Sequence, residues 1–170
     1  MFFNIRLAIN LKNMRLKGMN KVNNIYSCFF KLIGKKIIKY ETAEIYFDDW
    51  EPWNDLPIRI YFDDGEVISI AWSKFDDLWL SNDLTLPFSI EYNQVRWVIN
   101  KPSEIYGCLN STISSIKLGV DYLIIETDKV EIFTHLLIYT TNGVLDVFNN
   151  LDENGYSLLS DFSDKTIDVV

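Results

Sequence analysis

The sequence predicts a mainly β member of the α+β class, an antiparallel β-meander or partly closed barrel with an N-terminal helix packed on one face. Three observations carry this. Apolar residues recur at helical spacing in one segment near the start, the pattern shifts to a period of two after Gly34, and the alternating runs flank turn pairs such as Asp64-Gly65 and Asn142-Gly143. With 170 residues, 48 % of them hydrophobic and 15 % aromatic, the chain suffices for one core, expected as a single domain over residues 20–170.

The helix is expected over 20–34, where Ile25, Cys28, Phe29 and Leu32 fall on one face with Ile33 beside them. Asn20 or Asn23 is suited to the N-cap, Lys31 to the last turn and Gly34 to a left-handed C-cap. Residues 43–49 then alternate, Ile45 and Phe47 against Glu44, Tyr46 and Asp48. Residues 57–73 alternate on both sides of Asp64-Gly65, which predicts a hairpin with a type I′ turn and one face made of Ile58, Ile60, Phe62, Ile68, Ile70 and Trp72. A second hairpin is expected over 87–100 around Asn93-Gln94. Residues 121–149 read as three strands joined at Asp128-Lys129 and Asn142-Gly143. The middle one, 130–140, is apolar on both faces and is expected to be central in its sheet.

Charge narrows the function. The 24 acids against 16 bases give −8, which argues against nucleic-acid binding, because phosphate affinity comes from Lys and Arg. Residues 1–22 hold five bases and no acid, so the remainder is more acidic still, at −13. The basic stretch 1–19 has no apolar run longer than three residues, short of a signal-peptide core, and reads as a leader or a start codon placed too early. No stretch has the length of a membrane span, so a soluble, cytoplasmic protein is expected. Cys28 and Cys108, without CxxC spacing, read as buried thiols rather than a disulfide.

Catalytic signatures are missing. There is no GxGxxG, Walker, HExxH or Gly-x-Ser-x-Gly pattern, and the single histidine, His135, sits mid-strand, so no cofactor and no catalytic residue are expected. The echoed IYFDD at 45–49 and 60–64 marks two strand ends. Neither copy, nor 150–159 with Asp152, Glu153 and Gly155, has the acid, glycine and glutamate order of an EF-hand loop, and no metal is expected. What stands out is the mixture of carboxylates and rings in 48–55 and 73–83, including Phe75 and Asp83. Asp48, Asp49, Glu51, Asp55, Asp63, Asp64, Glu66, Asp76 and Asp77 are expected to steer a basic protein partner, with Trp50, Trp53 and Trp79 as loop-borne anchors. For any one of these residues the plainer reading is a ring plugging a sheet end or an acid keeping the surface solvated.

In size, acidity around 48–55, 63–66 and 76–83, tryptophan-rich loops and Asn/Ile/Lys-rich composition, the chain resembles the small acidic immunity proteins encoded beside bacterial polymorphic and contact-dependent-inhibition toxins. That resemblance implies a non-enzymatic cytoplasmic protein that binds a cognate toxin domain, often a basic nuclease, with its acids where nucleic-acid phosphates would lie. Such proteins have many unrelated folds, so the role leaves the architecture open. Two other classes compete: a small-ligand-binding β-domain or hydrolase assembled from residues such as Asp63, Glu126 and His135, and a structural subunit of a larger complex. Oligomeric state is left open.

Overall fold

The structure is a computed structural model that describes residues 19–74, 76–86, 90, 94–151 and 153–170. Its first element is a helix, α1, over 19–29, continued by a tight 3-10 turn at Phe30–Leu32. Ile25, Cys28, Phe29 and Leu32 are at most 8 % exposed, which puts the expected face into the core. Asn20 and Asn23 lie inside α1 rather than capping it, since the helix already includes Met19. Gly34 closes the segment with φ +80, a left-handed conformation that costs glycine little. The expected leader, apart from Met19, lies outside the described residues.

Eleven strands follow among the described residues, in two antiparallel sheets. The first sheet holds β1 (Ile37–Tyr46), β2 (Trp50–Pro52), β3 (Ile58–Phe62), β4 (Val67–Ser73), β5 (Asp77–Ser81) and β6 (Val95–Ile99). In succession β2 and β3 run antiparallel along β1, taking its residues 44–46 and 37–41, and β6 pairs with its residues 41–45. The second sheet has the order β10-β9-β8-β7-β11, made from β7 (Ile113–Ile125), β8 (Asp128–Thr140), β9 (Gly143–Asn150), β10 (Glu153–Leu159) and β11 (Thr166–Asp168). This is the mainly β, antiparallel architecture with a helix on the core that the periodicity predicts.

The β3–β4 hairpin has the expected register, Ile58 opposite Ile70 and Ile60 opposite Ile68, and its six inward residues are at most 1 % exposed. Its turn differs from expectation. Gly65 N–H donates to Phe62 O (3.1 Å), Phe62 N–H donates to Glu66 O (3.0 Å), and only Gly65 has positive φ (+88), so the loop is a type I turn closed by a glycine bulge. The arm expected over 87–92 lies largely outside the described residues; its partner 95–99 is β6, paired with β1. β8 is the central strand of its sheet, as expected, but the β7–β8 joint falls at Glu126-Thr127, two residues early, and β7 begins at Ile113. At the β8–β9 turn Gly143 has φ +135, and a Cβ there would stand 2.5 Å from the Leu159 carbonyl oxygen. Gly143→Ala is therefore expected to cost about 2 kcal/mol or more of unfolding free energy, read from the midpoint of a urea titration.

One apolar core lies between the sheets and under α1, drawing on Phe29, Tyr40, Trp72, Ile116, Leu136 and Leu145 among others. Polar clasps join the layers across it. Trp72 Nε1 donates to Val147 O (2.7 Å), and Asn154, fully buried on β10, accepts from Trp72 N–H (2.8 Å) while its amide donates to Leu56 O (2.8 Å) and Asn54 O (3.0 Å). Cys28 and Cys108 are free and buried, as expected, and burial pushes the Cys108 thiol up to about 12, so it stays protonated and inert.

Candidate interaction surface

Strand register decides which of the acids share a surface. Ile37 of β1 faces Phe62, so the β3–β4 turn lies at the Ile37 end, whereas the turns after β1 and after β4 lie at the Tyr46 end. Ten residues of β1 separate the two ends by roughly 30 Å at ~3.3 Å per residue. Asp63, Asp64 and Glu66 are thus held away from Asp48, Asp49, Trp50, Glu51, Trp53, Asp55, Asp76 and Asp77. The twelve expected contact residues form two groups, because the two IYFDD copies close opposite ends of one sheet.

Two of the three acids in the Asp63 group meet lysines. Asp63 Oδ1 accepts from Lys36 N–H (3.1 Å), Asp64 pairs with Lys35 Nζ (2.7 Å), and Glu66 pairs with Lys31. The Lys35 hydrogen bond, aided by the Glu66 N–H, holds the Asp64 carboxyl below its usual range. At the Tyr46 end the balance differs. Among the described residues no Lys or Arg comes within ion-pair distance of Asp48, Asp49, Glu51, Asp55 or Asp77, and only Asp76 meets a base, Lys21 at 3.5 Å. Of the two ends, this one holds more carboxylates without a cationic partner among the described residues.

Two of the three expected ring anchors are held on short strands rather than in loops, and Trp53 lies just past β2. Trp50 belongs to β2 and Trp79 to β5, both half-buried by pairing with β1 and β4. The Arg96 guanidinium lies 4.0 Å over the Trp50 ring, Tyr46 meets that ring edge-on at 5.3 Å, and Trp53 Nε1 donates to Asp55 (2.9 Å). Such fixed rings lose little entropy on binding a partner. Phe47, assigned by alternation to the face of Ile45, is 63 % exposed because β1 stops at Tyr46 and the chain bends. It is an exposed ring the alternation concealed; the following Asp-Asp was the available signal. Phe75 lies outside the described residues.

Glu44 moves the opposite way. Expected on the outer face, it is 6 % exposed and lies between Arg96 (2.5 Å) and Lys101 (3.3 Å). Burial pushes its carboxyl up, but the hydrogen bonds and charges of those two cations outweigh this and leave it below the usual range. Arg96 therefore ties a buried acid to the half-buried Trp50 ring and holds that ring in place.

Asp63, Glu126 and His135 do not converge. Asp63 is in the first sheet, and Glu126 is in the β7–β8 turn, more than seven residues along β8 from His135. His135 instead hydrogen-bonds through Nδ1 to the carboxylate of Asp146 (2.9 Å), which is 3 % exposed, has Asp121 3.6 Å from Nε2, and packs on Phe148 and Phe162. A bulge in β8 next to Gly119 places it there: a Cβ on Gly119 would stand 2.8 Å from the His135 Cβ. Burial lowers the imidazole pKa, but the Asp146 hydrogen bond and charge, with Asp121 and Asp164, outweigh it and leave the value raised.

A raised imidazole pKa makes the pair's stabilisation complete below the ordinary His pKa of about 6.5 and lost as pH rises through the folded value. The urea midpoint is expected to fall as pH rises above about 6.5, and Asp146→Asn to flatten that fall.

Among the described residues no three or more His, Cys, Asp or Glu side chains are arranged to hold a metal ion, and no helix is long and apolar enough to cross a membrane. No family model and no solved structure matches the chain. Residues of the chain are similar to enolases of Helicobacter pylori, 29 % identical over 110 residues for strain P12 and 30 % for strain 26695, covering 63 % of this chain and 24 % of each enolase. The chain thus spans about a quarter of the length of the curated relatives it matches.

Proposed function

We propose that the protein is a non-enzymatic, cytoplasmic immunity protein that binds a basic toxin domain and blocks it. The observation that carries this reading is the Tyr46 end of the first sheet: exposed carboxylates at Asp48, Asp49, Glu51 and Asp77 without cationic partners, set beside Phe47 and the pinned Trp50. Uncompensated acids raise the encounter rate with a cationic surface, and rigid rings then supply contact area at low entropic cost. The overall charge of −8 favours the same class of partner. Activity borrowed from the enolases would be a weaker reading, since the likeness reaches a quarter of those chains.

The competing reading, ligand binding or hydrolysis around His135, rests on the Asp146–His135 pair. Recovery of the tagged chain from its own cells separates the two. Under the first, a stoichiometric basic chain co-purifies that arrests growth when expressed alone and is tolerated when co-expressed. A harmless partner, or none, would sink the toxin reading, and a hydrolytic activity lost in a folded His135→Gln variant would establish the second.

A further inference from the structure

Residues 130–140 are apolar on both faces, which ordinarily means burial on both. The structure supplies that burial to only half of them. β9 pairs with β8 at 135–140, and β11 pairs with β7 at 117–119, with Val120 N–H reaching Lys165 O (2.9 Å). Beyond these points the five pairs from Asp121–Ile132 to Ile125–Asp128 pair with no further strand among the described residues, a two-stranded ribbon of roughly 17 Å at ~3.4 Å per residue. Tyr122 and Ile124 share one face; Leu123, Ile125, Val130 and Ile132 share the other. Ile124 is 80 % exposed, Ile125 56 % and Tyr122 41 %. A lone ribbon is marginal in water, and an apolar one is poorly suited to stay uncovered.

Its position and charge say what covers it. Lys21 Nζ lies 3.5 Å from Asp76 and 5.8 Å from the ring of Phe133, so the base of the ribbon adjoins the β4–β5 turn at the acidic end of the molecule. Within 121–131 stand Asp121, Glu126, Asp128 and Glu131 against Lys129; Glu131 pairs with Lys165, Asp121 with His135, and Glu126 and Asp128 meet no Lys or Arg among the described residues. A second copy laid edge to edge would oppose like charges.

We infer that residues 121–131 form a docking ribbon for a basic protein, which clasps it on both faces, at Ile124 on one and Ile125 on the other, with the open strand edges free to pair with the partner's backbone. This rests on the binding reading above and adds a contact element to it. The test places a photo-crosslinking benzoylphenylalanine at Ile124, at Phe47, or at Ile38 near the opposite end of β1, in the full chain in its own cells. The expected result is an adduct with a basic chain at Ile124 and not at Ile38, and at least about a tenfold loss of the Phe47 adduct when Ile124→Ser and Ile125→Ser are combined. No adduct at Ile124, the same adducts at Ile124 and Ile38, an adduct with a second copy, or an undiminished Phe47 adduct would each overturn the inference. An adduct at Phe47 alone would sink the ribbon and leave the binding reading standing. A basic adduct at Ile124 that proves harmless to cells would sink the toxin reading and leave the ribbon.

Discussion

Replacing Asn154 by leucine is expected to remove about 4 kcal/mol of stability, a large part of the 5–15 kcal/mol that holds a typical domain together. The side chain is fully buried and serves three backbone groups, the N–H of Trp72 and the carbonyls of Leu56 and Asn54. Among the described residues the Asn54 carbonyl has a second donor, the Asn154 N–H itself at 3.0 Å. Leucine fills the volume but leaves the other two groups dry and unpaired, each at about 1–3 kcal/mol. Because the groups belong to the first sheet and Asn154 to the second, the damage falls on the joint between layers. Urea unfolding checks it; a loss under about 1 kcal/mol would mean that the joint rests on Trp72 and its bond to Val147 instead.

His135→Ala carries a comparable effect, about 3–5 kcal/mol below about pH 6.5, where the imidazole with its raised pKa is charged, because Asp146 would remain a buried carboxylate with no cation beside it. The lost ring also uncovers Phe148 and Phe162. Removing both partners tests this cause against simple loss of packing: His135→Ala with Asp146→Ala is expected to cost clearly less than the sum of the single changes, since neither charge is then stranded. Additive losses would assign the effect to packing alone.

Local features of the fold were readable from the chain, and the long-range ones were not. Ile25, Cys28, Phe29 and Leu32 identify the helix face, and the alternation around Asp64-Gly65 identifies both the hairpin and its buried side, because each signal is complete within about 15 residues. Periodicity does not say which edges meet. That β6 would return across some fifty residues to pair with β1, and so bury Glu44 under Arg96, is decided by tertiary packing. The same limit explains the contact surface: two identical pentapeptides have the same local signature, yet strand direction sends them to opposite ends. Asn154 was hidden for another reason, since Glu-Asn-Gly has the composition of a turn and gives no sign of burial. In 130–140 the chemistry was legible and its intramolecular explanation incomplete, which is what points outward to a partner.

The association rate of the chain with the basic protein recovered alongside it, measured from about 50 to 500 mM salt, tests the account most directly. For the native sequence the rate is expected to fall at least about tenfold over that range, and Asp48→Lys, Asp49→Lys and Glu51→Lys combined to slow it at low salt and flatten its salt dependence. An association rate indifferent to salt and unchanged by the three reversals would contradict an electrostatically steered surface at the Tyr46 end.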